Sequence, residues 1–137
     1  MTNRYVIILF TILFFIMFLY SGINKIQSFD EKVRILDQKL NYNLPLVLLN
    51  IGMICVILLE IIGPIIITSR IILSSKSPDK LILLSNITFI LFILFLIVVT
   101  LIYHPFSFEK AIPFLSNCTT LSGLIFLYFI SNSDLIN

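Results

Sequence analysis

Residues 56–66 read VILLEIIGPII, a single acid, Glu60, set among apolar neighbours. The stretch alone fits a buried helix of a soluble protein as well as a membrane span. Its surroundings decide, because the apolar run extends from Pro45 to Thr68 without a basic residue. At about 1.5 Å per residue such a run crosses a hydrocarbon layer about 30 Å thick. A carboxylate facing lipid at that depth costs about 2.5–3.5 kcal/mol or more, so Glu60 is expected inside a bundle, neutral or paired.

The rest of the chain agrees. Of 137 residues, 59% are hydrophobic and 12% charged, and the mean hydropathy is +1.12. A soluble domain carries about 25% charged residues, because its surface must be wetted. Lipid is therefore the solvent for much of this chain. Three further apolar runs without basic residues cover 5–23, 81–103 and 111–130. Backbone in lipid must satisfy its own hydrogen bonds, so these runs are helices. The expected fold is an all-α membrane protein: a four-transmembrane-helix bundle in one domain over 1–137, with an interfacial amphipathic helix between spans 1 and 2. The first run is long for a secretory leader, and FLYSGINK lacks a small-x-small cleavage site, so it reads as an anchor.

That interfacial helix covers about 28–40. Ser28 and Glu31 have capping-box spacing. Ile26, Phe29, Val33, Leu36 and Leu40 recur at steps of three and four, with Asp30, Lys32, Arg34, Asp37 and Lys39 between them. The pattern is that of a helix with its apolar side down on lipid, or packed on the bundle. Asn41 and Asn43 favour a turn before Pro45, and Ser77 with Pro78 reads as the start of span 3.

Composition also excludes functions. A net charge of +2 without a basic run argues against nucleic acid. Cys55 and Cys118 form no CxxC and read as buried small hydrophobes. Metal-ligand spacing, a nucleophile elbow, a phosphate loop and a dinucleotide fingerprint are all missing from the sequence. Haem or cluster ligation patterns are missing as well. Four spans without repeats or a ring of charges give little pathway for a transporter or channel. Basic residues divide too evenly between the two sides to set the orientation.

The polar residues within the spans are the candidates for a site. Lys25 ends span 1, and His104 ends span 3 on the same side; Asn117 lies about 6 Å toward that side from the middle of span 4. Glu60 is deeper, about 6 Å beyond the middle of span 2. Gly52, Val56, Glu60 and Gly63 share one face of span 2, and Ser116, Thr119, Thr120 and Gly123 one face of span 4. Small residues such as Gly52, Gly63 and Gly123 permit close helix packing in membranes.

At these residues the chain resembles the DoxX family of small four-span membrane proteins. YSGINKIQSF resembles the family's end of span 1, LLEIIGPIIITSR the Glu and Gly-rich segment with Thr-Arg that closes span 2, LIYHPF its His-x-Phe, and PFLSNCTTLSGLIF its Phe-Leu-x-Asn. The likeness runs in order through roughly residues 4–130. Pro64 stands where the family has a second Gly, and Ser107 where an aromatic follows His-x-Phe. The resemblance implies a polar cluster at Lys25, Glu60, His104 and Asn117 and a place in the cell membrane, although the AT-rich style of composition leaves a viral or host membrane open. It further implies a non-catalytic or quinone-linked subunit of a membrane oxidoreductase system, with quinone as a non-covalent ligand and a redox subunit or another membrane protein as partner. The alternative within the wider group is an assembly factor or scaffold without enzymatic activity.

Overall fold

The computed structural model describes residues 2–40, 44–73, 76–105, 107 and 111–133, with side chains from Tyr5 onward. Its elements are α1 (Thr2–Gln27), α2 (Phe29–Leu40), α3 (Leu46–Leu73), α4 (Asp79–Tyr103) and α5 (Ala111–Ser131), with no strand among the described residues. Four of them are long and apolar enough to cross a membrane: Tyr5–Gln27 of α1 (23 residues), α3 (28), α4 (25) and α5 (21). Their outward positions remain apolar, with Phe10, Leu13, Leu58, Ile65, Leu94 and Phe126 all exposed. An apolar perimeter of this extent has no place in water. The chain is a multi-pass membrane protein.

Helix α3 is central. It packs against α1 on one side and α4 on the other, while α5 packs on α4. α5 also reaches back to α1, where Gly123 meets the ring of Phe14. The core is aromatic and aliphatic, built from Phe15, Phe18, Ile67, Phe89, Phe92 and Leu124 among others. Phe92 of α4 touches both Phe15 (5.6 Å between centroids) and Phe18 (4.9 Å) of α1. Lipid tails are as apolar as these rings, so close packing rather than water exclusion holds the helices together. Buried threonine hydroxyls are returned to their own helix: Thr88 donates to Leu84 O at 2.7 Å and Thr100 to Leu96 O at 2.6 Å, whereas the buried Ser85 hydroxyl has no partner among the described residues.

The helices outrun the apolar segments of the sequence. α1 continues past Ile23 to Gln27, and α3 continues past Thr68 to Leu73. Glu60 consequently lies at the middle of α3 rather than beyond it. Pro64 is buried inside α3, which continues through it although the Glu60 carbonyl has no N–H from residue 64 to accept.

Three local expectations are corrected. Ser28 holds the N-cap position of α2, its carbonyl accepting from Lys32 N–H at 3.0 Å. Its hydroxyl, however, turns back to donate to Asn24 O at 2.8 Å, and no α2 N–H among the described residues donates to that hydroxyl. Ser77 likewise donates to Arg70 O at the end of α3, and Pro78 takes the cap position of α4 without a side-chain bond. Cys55 and Cys118 are both free and exposed on the perimeter rather than buried. The amphipathic helix is present as α2, and its apolar side is seated on α3: Val33 packs with Leu49, Met53 and Ile57. Ile26 belongs to α1 and is exposed. The turn expected at Asn41 and Asn43 lies outside the described residues.

Candidate functional site

The site begins with a glycine. Gly22 is buried where α1 crosses α3, and a Cβ there would lie 2.9 Å from Ile61 Cγ1 and 3.2 Å from Glu60 Cβ. Hydrogen in place of a side chain brings the two backbones close enough for Ser21 and Lys25 to flank the Glu60 carboxylate. These two residues share a helix face, four positions apart. Lys25 Nζ donates to Glu60 Oε1 at 2.8 Å and Oε2 at 2.7 Å, and also to Ser21 Oγ. Ser21 Oγ in turn donates to Glu60 Oε1 at 3.2 Å.

Burial in this pair is unequal. The Glu60 side chain is 3% exposed and that of Lys25 is 20%. All three ammonium protons are committed within the group, and both carboxylate oxygens are occupied. The arrangement is electrically neutral and closed upon itself. Removing either partner would strand a charge in a low-dielectric interior, a cost of about 3–5 kcal/mol.

Above the pair lies a cavity of about 630 Å³, within the usual range for small-molecule sites. Met53, Val56 and Glu60 of α3 form its back, and Met17, Phe18, Tyr20, Ser21, Asn24 and Lys25 its α1 wall. Phe95, Leu96, Val99 and Tyr103 of α4 stand opposite, followed by His104, while Lys32, Ile35 and Leu36 of α2 roof it. The contact between Phe18 and Phe92 closes the floor. The Tyr103 hydroxyl and the His104 imidazole line the space without a hydrogen bond to any described residue. Among the described residues no three His, Cys, Asp or Glu side chains gather as a metal site.

Of the residues singled out from sequence, Lys25, Glu60 and His104 share this cavity, whereas Asn117 of α5 does not line it. α5 packs on α4, and among the described residues the cavity is built from α1 to α4 and His104. The packing glycines also divide. A Cβ at Gly63 would lie 2.5 Å from the Phe92 ring, and one at Gly123 would lie 2.7 Å from Phe14, so both are tight contacts. Gly52 faces open space, with nothing within 4 Å of a Cβ. The buried face of α3 runs through Leu49, Met53, Ile57, Glu60, Gly63, Ile67 and Arg70, one position away from Gly52.

A second polar cluster, not anticipated from the sequence, sits at the far end of α3. Arg70 is buried, and its guanidinium donates to Asn86 Oδ1 (3.0 Å), Ser131 Oγ (3.2 Å), Ser131 O (2.7 Å) and Asn132 Oδ1 (3.0 Å). One side chain thus ties together α3, α4 and the end of α5. The sequence does carry a signal, since steps of three and four from Glu60 through Gly63 and Ile67 arrive at Arg70. Likewise Ser21, one turn before Lys25, announces the pair's third member. Comparisons with protein-family profiles, curated proteins and solved structures find no match to this chain, so the chemistry of the site rests on its own geometry.

Proposed function

We propose that this membrane protein is a DoxX-like, non-catalytic subunit of a membrane oxidoreductase system that holds a quinone-type ligand between α1, α2, α3 and α4. The observation that carries this reading is the make-up of the cavity. A quinone ring is flat, apolar on both faces, and accepts hydrogen bonds at its two carbonyl oxygens. Phe18, Phe95, Leu96 and Val99 offer apolar walls, and Tyr103 and His104 offer polar groups at one end that bond to no described residue. The deep end favours an uncharged head group, because Lys25 and Glu60 already neutralise each other. The sequence has no haem or cluster ligation pattern, so electrons reach or leave the ligand through a partner subunit.

The test is purification from the source membrane in mild detergent, with bound small molecules identified by mass spectrometry. The reading expects a quinone with the wild-type chain, reduced about tenfold by Val56→Trp, which fills the cavity. Recovery of wild-type protein free of quinone, or equal quinone on the filled variant, overturns it.

The alternative, an assembly factor or scaffold without enzymatic activity, is favoured by α5. Ser116, Thr119 and Ser122 are exposed on this spanning helix, and the Thr119 hydroxyl is satisfied by Leu115 O at 3.0 Å. Such a face lets another membrane helix approach closely. A membrane client that co-purifies with the wild type and is lost with Ser122→Leu, in preparations without quinone, selects this alternative.

A further inference from the structure

The cavity has a side door. Its floor is closed by Phe18 against Phe92, and its roof is α2, held on α3 by Val33 against Leu49, Met53 and Ile57. Its back is α3 itself, which packs against both α1 and α4. Among the described residues α5 contributes nothing to the lining, and the side left open is the gap between α1 and α4 above the Phe18–Phe92 contact. On the α1 lip of that gap, Met17 is 53% exposed and Tyr20 is 70% exposed, yet both line the cavity. The same side chains therefore border the interior and the perimeter of a spanning helix. The opposite lip, Phe95 and Val99 of α4, is only half-buried. Everything at the door except the Tyr20 hydroxyl is apolar, whereas the polar groups Asn24, Lys25, Lys32 and His104 gather toward the α2 end.

The geometry points to a ligand that carries a long hydrocarbon tail and enters sideways from the bilayer, its head group between Glu60 and Tyr103 and its tail leaving between α1 and α4 past Met17 and Tyr20. This rests on the reading of the cavity as a quinone-type site and narrows it to tailed, membrane-dissolved quinones. A tail leaving here passes from an apolar cleft straight into lipid and is never exposed to water. A tail leaving upward would have to displace the packed face of α2. The cleft is also filled on its lower side by the Phe18 and Phe92 rings, so among the described residues the tail has one course.

The experiment measures binding of two probes to the full chain in nanodiscs of synthetic phosphatidylcholine: a decyl-tailed benzoquinone and the same ring without the tail, with concentrations expressed per lipid. The quantity read is the ratio of their dissociation constants. Met17→Trp narrows the door and is expected to raise the ratio of tailed to tail-less constants about tenfold or more. Ile35→Trp, on the α2 roof, is expected to move that ratio by less than about threefold. A ratio unmoved by Met17→Trp, or moved as far by Ile35→Trp, overturns lateral passage while leaving the quinone reading in place. Failure of wild-type protein to bind either ring removes the quinone reading and this inference with it. As a second measurement, a diazirine at the far end of the tail is expected to label α1 or α4 peptides in the wild type. Labelling confined to the peptide of α2 contradicts the inference.

Discussion

Gly22 of α1 lies against Glu60 of α3 so closely that a Cβ on the glycine would stand 3.2 Å from the Cβ of the acid. That approach is what allows Ser21 and Lys25, on either side of the glycine, to close around the carboxylate. Gly22→Val is expected to push α1 away from α3 and lower stability in detergent by about 1–3 kcal/mol, with Gly22→Ala less severe. Thermal unfolding of the purified variants checks it. A Gly22→Val protein as stable as the wild type would mean that the two helices do not meet there.

The ion pair gives a sharper prediction. Lys25→Met and Glu60→Met each leave a charge without its partner and are expected to cost about 3–5 kcal/mol. The double variant restores electrical balance, so its loss is expected to be smaller than either single loss. A double-mutant cycle read by denaturant titration in mixed micelles measures this, and additive losses would show the two residues to be independent.

At the other end of the bundle, Arg70 anchors the last turn of α5 through Ser131 and Asn132. Arg70→Ala is expected to cost about 1.5–3 kcal/mol and to speed hydrogen exchange at 127–133 before any other part of α5. Arg70→Lys is expected to rescue little, because a single ammonium cannot reproduce the two-pronged donation to α4 and α5. Unchanged exchange at the end of α5 in Arg70→Ala argues against the clamp.

The glycines of α3 separate packing within the chain from packing against other proteins. Gly63→Ala drives a methyl group against Phe92 and is expected to destabilise by about 1–3 kcal/mol. Gly52→Ala meets open space and is expected to be neutral or slightly stabilising in the isolated protein. Thermal shift assays on both variants compare them directly. If Gly52→Leu instead abolishes recovery of a membrane client while the chain stays folded, that face of α3 is a contact with another protein.

How much of this was legible in the sequence depends on the kind of signal. Four spans follow from apolar runs that no soluble domain of this size tolerates; α3 outruns the run at 45–68 only at its C-terminal end, and α4 the run at 81–103 only at its N-terminal end. The amphipathic period of α2 was legible too, but not its seat, since lipid and the apolar face of α3 are interchangeable partners for Val33. Boundaries drawn at the first polar residue were too short, because Arg70 is paid for by Asn86, Ser131 and Asn132 from helices distant in sequence. Glu60 and Lys25 could be placed in one bundle by the cost of charge in lipid. Their direct pairing required Gly22, whose role appears only when Ile61 and Glu60 are found against it. Asn117 shows the limit of reasoning from depth alone: it lies on α5, and the described residues that line the cavity come from the other helices and His104.

The contact between Lys25 and Glu60 is open to direct measurement by solid-state NMR, as dipolar recoupling between ¹⁵Nζ-labelled lysine and ¹³Cδ-labelled glutamate in lipid bilayers. With both carboxylate oxygens within 2.8 Å of the ammonium nitrogen, the nitrogen-to-carbon separation is expected to be under about 4 Å. The predicted result is strong dephasing of one glutamate carboxyl signal in the wild type, lost in Lys25→Met. A wild-type spectrum in which the Glu60 signal, assigned by Glu60→Gln, shows no lysine contact would contradict the account at its centre.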